Sequence, residues 1–97
     1  MSDKDKIIKV MRANTNEISA FGVKKIGLFG SCASGRQNAG SDMDVLIEFR
    51  KGKKEFDNYM ELKFYLEKLF QRRIDLVIKD ALKPRIKRDI LKEVIYA

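Results

Sequence analysis

The side chains best suited to chemistry lie in one segment, Gly30-Ser31-Cys32-Ala33-Ser34-Gly35-Arg36-Gln37-Asn38-Ala39-Gly40-Ser41-Asp42-Met43-Asp44. An apolar run, Ile26-Gly27-Leu28-Phe29, stops at Gly30, where the lack of a Cβ lets a phosphate come close to the backbone. Ser31 stands where a helix could open, so its hydroxyl and free N–H groups would face an anion. Ser34 offers another hydroxyl to that anion site, and Arg36 and Ser41 stand in the same segment. Asp42 and Asp44 stand two apart at the start of the next apolar run. Strand alternation puts both carboxylates on one face, with Cβ atoms roughly 6.5–7 Å apart. Two carboxylates so placed repel unless a cation neutralises them, and hard oxygen donors suit Mg²⁺ completed by water and substrate phosphates. A phosphate site beside a carboxylate pair is the arrangement for metal-assisted phosphoryl or nucleotidyl transfer, with two ions about 3.5–4 Å apart.

A third carboxylate, Asp75, interrupts the β-forming run Ile74-Asp75-Leu76-Val77-Ile78, where aspartate is locally disfavoured. If that run pairs with the strand after Asp42, Asp75 completes the metal-ligating set Asp42, Asp44 and Asp75. It also becomes the candidate general base. The competition for that role is thin. The chain has no histidine, which excludes Ser-His-Asp and Cys-His catalysis and His-ligated metals. It has one cysteine, Cys32, which excludes disulfide frameworks and cysteine-cluster zinc sites and points to a reducing compartment. Taken singly, a Gly-Ser turn, an Asp-x-Asp turn cap and an edge-strand Asp are ordinary; the combination is what points to a site. Gly30-x₄-Gly35-Arg36-Gln37 nearly fits a P-loop, but Arg replaces the Lys and Gln the Mg²⁺-binding hydroxyl, and the P-loop is rejected.

The elements that must carry these residues follow from spacing. Ile7, Ile8, Met11, Thr15 and Ile18 predict a helix from about Asp3 to Ala20, weakened by Asn14-Thr15-Asn16 and closed by Gly22. Strands are predicted over 23–30, 42–49 and 73–78. A strong amphipathic helix is expected from Phe56 to Phe70. A last helix begins at Pro84 and uses Ile86, Ile90, Leu91, Val94 and Ile95 as its apolar positions. The expectation is a single domain over 1–97 of α/β (α+β) class, with a small mixed three-stranded sheet flanked by helices in the order α-β-α-β-α-β-α. A charged N-terminus and the lack of a long apolar run predict a soluble, cytoplasmic protein with no membrane partner. Lys plus Arg number 21 against 14 Asp plus Glu, so the net charge of +7 favours anionic partners. Arg85, Arg88 and Lys92 fall on one helix stripe, which reads first as a solvated face and second as a surface for an acidic partner or RNA. Lys51, Lys53 and Lys54 read as an exposed turn.

Gly30-Ser31, ten residues, then Asp42-x-Asp44, followed by a strand aspartate, resembles the DNA polymerase β-like nucleotidyltransferase superfamily. The nearest likeness is the minimal nucleotidyltransferase (MNT) group, small proteins that act as antitoxins beside HEPN-type ribonuclease toxins. The likeness extends to the closing segment Leu82–Tyr96. It implies that Gly30 and Ser31 hold a nucleoside triphosphate, that Asp42 and Asp44 bind Mg²⁺, and that Asp75 is the third acid. It implies AMP transfer from ATP to a hydroxyl, a tyrosine, of a cognate HEPN-type toxin, and a mixed sheet whose first two strands are antiparallel. Two positions depart from the family's pattern: Ser34 stands where Arg is common, and Arg36 where an acid is frequent. The alternative function is a catalytically weak or inactive antitoxin that neutralises its toxin by binding. A basic nucleic-acid-binding module comes third, because interleaved surface aromatics are lacking.

Overall fold

The computed structural model describes residues 3–30, 33, 42–52 and 56–97. In chain order these form α1 (Asp3–Ala13), α2 (Thr15–Ala20), β1 (Val23–Phe29), β2 (Met43–Phe49), α3 (Phe56–Phe70), β3 (Ile74–Ile78), a 3₁₀ turn (Lys79–Ala81), α4 (Pro84–Glu93) and β4 (Ile95–Tyr96). The expected first helix is two helices. The Asn14 side chain donates to the Val10 carbonyl at 2.8 Å and the Thr15 hydroxyl to the Arg12 carbonyl at 2.7 Å. The Val10 carbonyl still accepts the Asn14 N–H at 3.1 Å, so the competition lies at Thr15, whose hydroxyl occupies the Arg12 carbonyl, and the helix is interrupted at Asn14. Gly22, at φ +89°, closes α2, its N–H donating to the Ser19 carbonyl at 2.9 Å.

The sheet order is β3-β2-β1-β4. As expected, β1 and β2 are antiparallel, and β2 and β3 are parallel. A parallel pair needs a long crossover, which α3 supplies. Leu62 and Leu66 of α3 are fully buried, and the Tyr59 hydroxyl donates to the Leu76 carbonyl at 2.6 Å, fastening the helix over β3. The core packs Ile7, Ile8, Met11 and Ile18 of the first two helices and Leu62 and Leu66 of α3 against one sheet face. That face carries Val23, Ile26 and Leu28 from β1, Met43, Val45, Ile47 and Phe49 from β2, and Ile74 and Leu76 from β3. Strand β2 runs through the middle of the sheet, and Leu46, which points to the opposite face, is buried as well.

Among the described residues the sheet has four strands, not the expected three, and the C-terminal end supplies the fourth. The last helix stops at Glu93: of the expected helical positions Val94 and Ile95, Val94 is the extended C-cap and Ile95 joins Tyr96 in β4 against β1. Helix α4 has no buried residue; Ile86 and Leu91 are exposed. Gly27 makes the docking of β4 possible: a Cβ there would stand 2.7 Å from a Val94 methyl and 3.1 Å from both the Ile95 carbonyl oxygen and the Tyr96 ring. Gly27→Ala should therefore push β4 off β1 and destabilise the fold by about 1–3 kcal/mol, the range for overpacking. Urea denaturation of the two proteins measures this.

Candidate active site

The chemistry expected from the sequence gathers where β1 ends and β2 and β3 begin. Residue for residue, Asp44 of β2 pairs with Phe29 on one side and with Asp75 of β3 on the other. Met43 N–H donates to the Arg73 carbonyl at 3.0 Å, tying the two strand starts together. Asp42, exposed, immediately precedes β2, and Asp75 is exposed as the second residue of β3, while Asp44 is half-buried between them. All three line one open cleft of about 420 Å³, together with Ile74, Lys63, Glu67 and Arg73.

Gly30 adjoins this cluster. It has φ +72°, a conformation that costs glycine little, and its carbonyl accepts the Ala33 N–H at 3.1 Å. A Cβ on Gly30 would come within 2.1 Å of Asp44 Oδ2. Glycine is thus required here by the neighbouring carboxylate as well as by the backbone turn. Gly30, Asp42, Asp44 and Asp75 are therefore neighbours. Ser31, Cys32, Ser34, Arg36 and Ser41 lie outside the described residues, as do Lys53 and Lys54.

Burial pushes the Asp44 carboxyl above the ordinary range. The charge of Asp75, a hydrogen bond with the Asp75 side chain, and the charges of Asp42 and Glu93 push it the same way. A proton shared between Asp44 and Asp75 relieves the crowding, and so would a cation. Among the described residues, no three acidic side chains are grouped closely enough to hold a metal by themselves. The donor chemistry still suits Mg²⁺: partly buried carboxylate oxygens in a cleft open to water, with room for ligands from outside the protein.

Four charged residues at the site carry no sequence signal that points to it. Lys63 and Glu67, four apart, plainly share a face of α3, but nothing in the sequence says which way that face looks. The Glu67 carboxylate accepts the Ile74 N–H at 3.2 Å, and Arg73 enters the cleft because its carbonyl holds β2. Glu93 accepts the Gly30 N–H at 3.0 Å from sixty-three positions along the chain, a contact without any local signal. The Arg85, Arg88 and Lys92 stripe is exposed, as expected, and Lys51 is exposed beside Gly52.

The family profile described as nucleotidyltransferase domain matches residues 5–97. The chain belongs to this nucleotidyltransferase family. It is similar to the protein adenylyltransferase MntA of Thermococcus cleftensis, at 38% identity over 93 residues, covering 95% of this chain and 93% of the relative. A solved structure described as a minimal nucleotidyltransferase superposes with TM-score 0.83 at 30% identity, over 96% of this chain and 94% of the other. The fold is shared too with an MNT antitoxin solved with a tri-AMPylated HEPN toxin of Shewanella oneidensis, at TM-score 0.60 and 20% identity, over 97% of this chain and 67% of that one. No helix among the described residues of this nucleotidyltransferase is long and apolar enough to cross a membrane.

The raised Asp44 carboxyl has a consequence for stability. The unfolded chain releases this proton near the ordinary value, ~3.9, whereas the native state holds it to higher pH. Native stability therefore falls as pH rises through that interval and stays lowered above it. Asp44→Asn removes the penalty and keeps a donor for Asp75. In chelator-treated protein it should melt at a higher temperature than the parent at pH 7, with the difference vanishing below about pH 3.5, where the unfolded Asp is also protonated. Thermal melts across the pH series check the sign.

Proposed function

We propose that this nucleotidyltransferase, acting as one domain over 1–97 in the cytoplasm, moves AMP from ATP to a tyrosine hydroxyl of a cognate HEPN-type ribonuclease toxin, and so serves as its antitoxin. The observation that carries the reading is the pairing of Asp44 with Asp75 beside Gly30, in a chain 38% identical to a protein adenylyltransferase. Gly30 and Ser31, with Ser34, Arg36 and Ser41, would contact the triphosphate. Asp42, Asp44 and Asp75 would hold Mg²⁺, two ions in the full complex. When bound, the metal screens the phosphates and lowers the cost of charge developing on the attacking and leaving oxygens.

The chain's own residues have three tasks. The cleft beside Asp75 admits the acceptor, with Lys63 and Arg73 on its wall to offset the carboxylates. Asp75 takes the proton of the phenol, whose pKa near 10 otherwise keeps it neutral at pH 7. The phenolic oxygen then bonds to the α-phosphorus as the bond to the bridging oxygen breaks, and pyrophosphate leaves with that electron pair. Asp44, half-buried, stands opposite Asp75 in the β2–β3 register and so sets those two carboxylates next to each other.

Turnover distinguishes this reading from neutralisation by binding alone. A substoichiometric amount of the protein with Mg²⁺ and ATP should inactivate an excess of its HEPN-type partner. Intact mass spectrometry should find AMP on a partner tyrosine. Asp75→Asn should slow that gain by about 10²–10⁴-fold, the usual contribution of general-base help, and Asp42→Asn and Asp44→Asn should abolish it. Neutralisation that saturates at equimolar protein, with no added mass and no loss in the Asp variants, would sink the proposal in favour of masking.

A further inference from the structure

The contact between Glu93 and Gly30 joins the end of the chain to the site. The β1–β4 register pairs Gly27 with Tyr96 and Leu28 with Ile95, and the Ala97 N–H donates to the Ile26 carbonyl at 2.9 Å. Continued by two residues, the same antiparallel register sets Gly30 opposite Glu93. Hydrogen-bonded pairs alternate along such a ladder, so Gly30 N–H would next seek the Glu93 main-chain carbonyl. That partner is withheld, because Glu93 is the last residue of α4 and its backbone follows the helix. The side chain acts in its place: Glu93 Oε1 accepts the Gly30 N–H at 3.0 Å.

We propose that Glu93 is a positioning residue for nucleotide binding: its carboxylate extends the β1–β4 ladder by one bond and fixes the backbone of Gly30 in its turn. The proposal rests on the reading of Gly30 and Ser31 as nucleotide contacts. Three constraints then meet at Gly30. Its N–H is held by Glu93, its carbonyl by the Ala33 N–H, and its Cα surface by the Asp44 carboxylate, with φ at +72°. Releasing the first leaves the Gly30 peptide free to rotate out of this turn. A bond from an uncharged donor to a carboxylate is directional and stronger than one to a neutral acceptor, which suits this task. The closing segment, whose apolar helix residues contribute nothing buried to the core, thereby acquires a place at the site.

The geometry also allows an opposite role, in which Glu93 occupies an anion position that a phosphate must win. Three proteins separate the two: the parent, Glu93→Ala and Glu93→Gln, whose amide oxygen can still accept. Amide exchange of Gly30, followed by NMR without nucleotide, should be slow in the parent and Glu93→Gln and faster in Glu93→Ala, with unchanged melting temperatures. Calorimetry with Mg²⁺ and ATP should then show about tenfold weaker binding by Glu93→Ala, the scale of one net hydrogen bond, and near-parent binding by Glu93→Gln. In AMP transfer, the KM for ATP should rise in Glu93→Ala while kcat changes little. Unchanged Gly30 exchange or unchanged binding in Glu93→Ala overturns the proposal, as does tighter binding, which is the anion-mimic outcome. Glu93→Gln behaving like Glu93→Ala overturns it too, by assigning the effect to charge. Failure of the parent to bind ATP at all would instead refute the nucleotide-site reading, while the exchange data still report on the Glu93 bond.

Discussion

Two aspartates placed side by side on neighbouring strands are held there against their mutual repulsion, and the architecture can be read as the means of holding them. A one-residue slip of β2 against β3 would separate Asp44 from Asp75 and turn Met43, Val45 and Ile47 away from the core. The register is thus set by apolar burial and merely inherited by the carboxylates. Complete burial of a large aliphatic side chain is worth about 1.5–3 kcal/mol, and β2 has four such residues, Met43, Val45, Leu46 and Ile47, with none of their surface exposed. The parallel pairing requires α3 as its crossover, and α3 in turn supplies Lys63 and Glu67 to the cleft. Core and site are therefore two faces of the same elements.

The acidic residues around the cleft divide by what their oxygens do. Glu67 and Glu93 accept backbone N–H groups, from Ile74 and Gly30, each immediately ahead of a candidate site residue, Asp75 and Ser31. Asp44 and Asp75 instead face each other, and burial with its acidic neighbours makes Asp44 hold its proton more tightly than usual. The first pair holds main chain in place; the second presents charge. A carboxylate bonded to an N–H has its negative charge partly offset locally, so adding Glu67 and Glu93 to an already acidic place costs less than adding two free ones.

Much of this was legible in the residues themselves. The Gly30-Ser31 to Asp42-x-Asp44 spacing and the misfit of Asp75 in its strand located three acids that the fold does bring together, since alternation along a strand and preference for burial are local properties. The limits of α3 and the start of α4 at Pro84 were readable for the same reason. The break at Asn14 was only half visible: the Asn-Thr-Asn cluster signals weakness, but a clean division into α1 and α2 depends on which carbonyls Asn14 and Thr15 reach.

The strand β4 and the role of Glu93 belong to tertiary structure alone. Val94 and Ile95 continue the helical spacing of Ile90 and Leu91, so the one-dimensional pattern extends the helix through them. A two-residue strand has no periodicity of its own to compete with that pattern. It forms because the open edge of β1 offers unpaired N–H and carbonyl groups and because Gly27 leaves room for Val94 and Tyr96. Likewise, no sequence rule connects positions 30 and 93; a register between strands distant along the chain does. Local composition determined which residues could do chemistry, and the pairing of edges decided which of them meet, because hydrogen-bonded registry is a relation between segments that neither segment encodes alone.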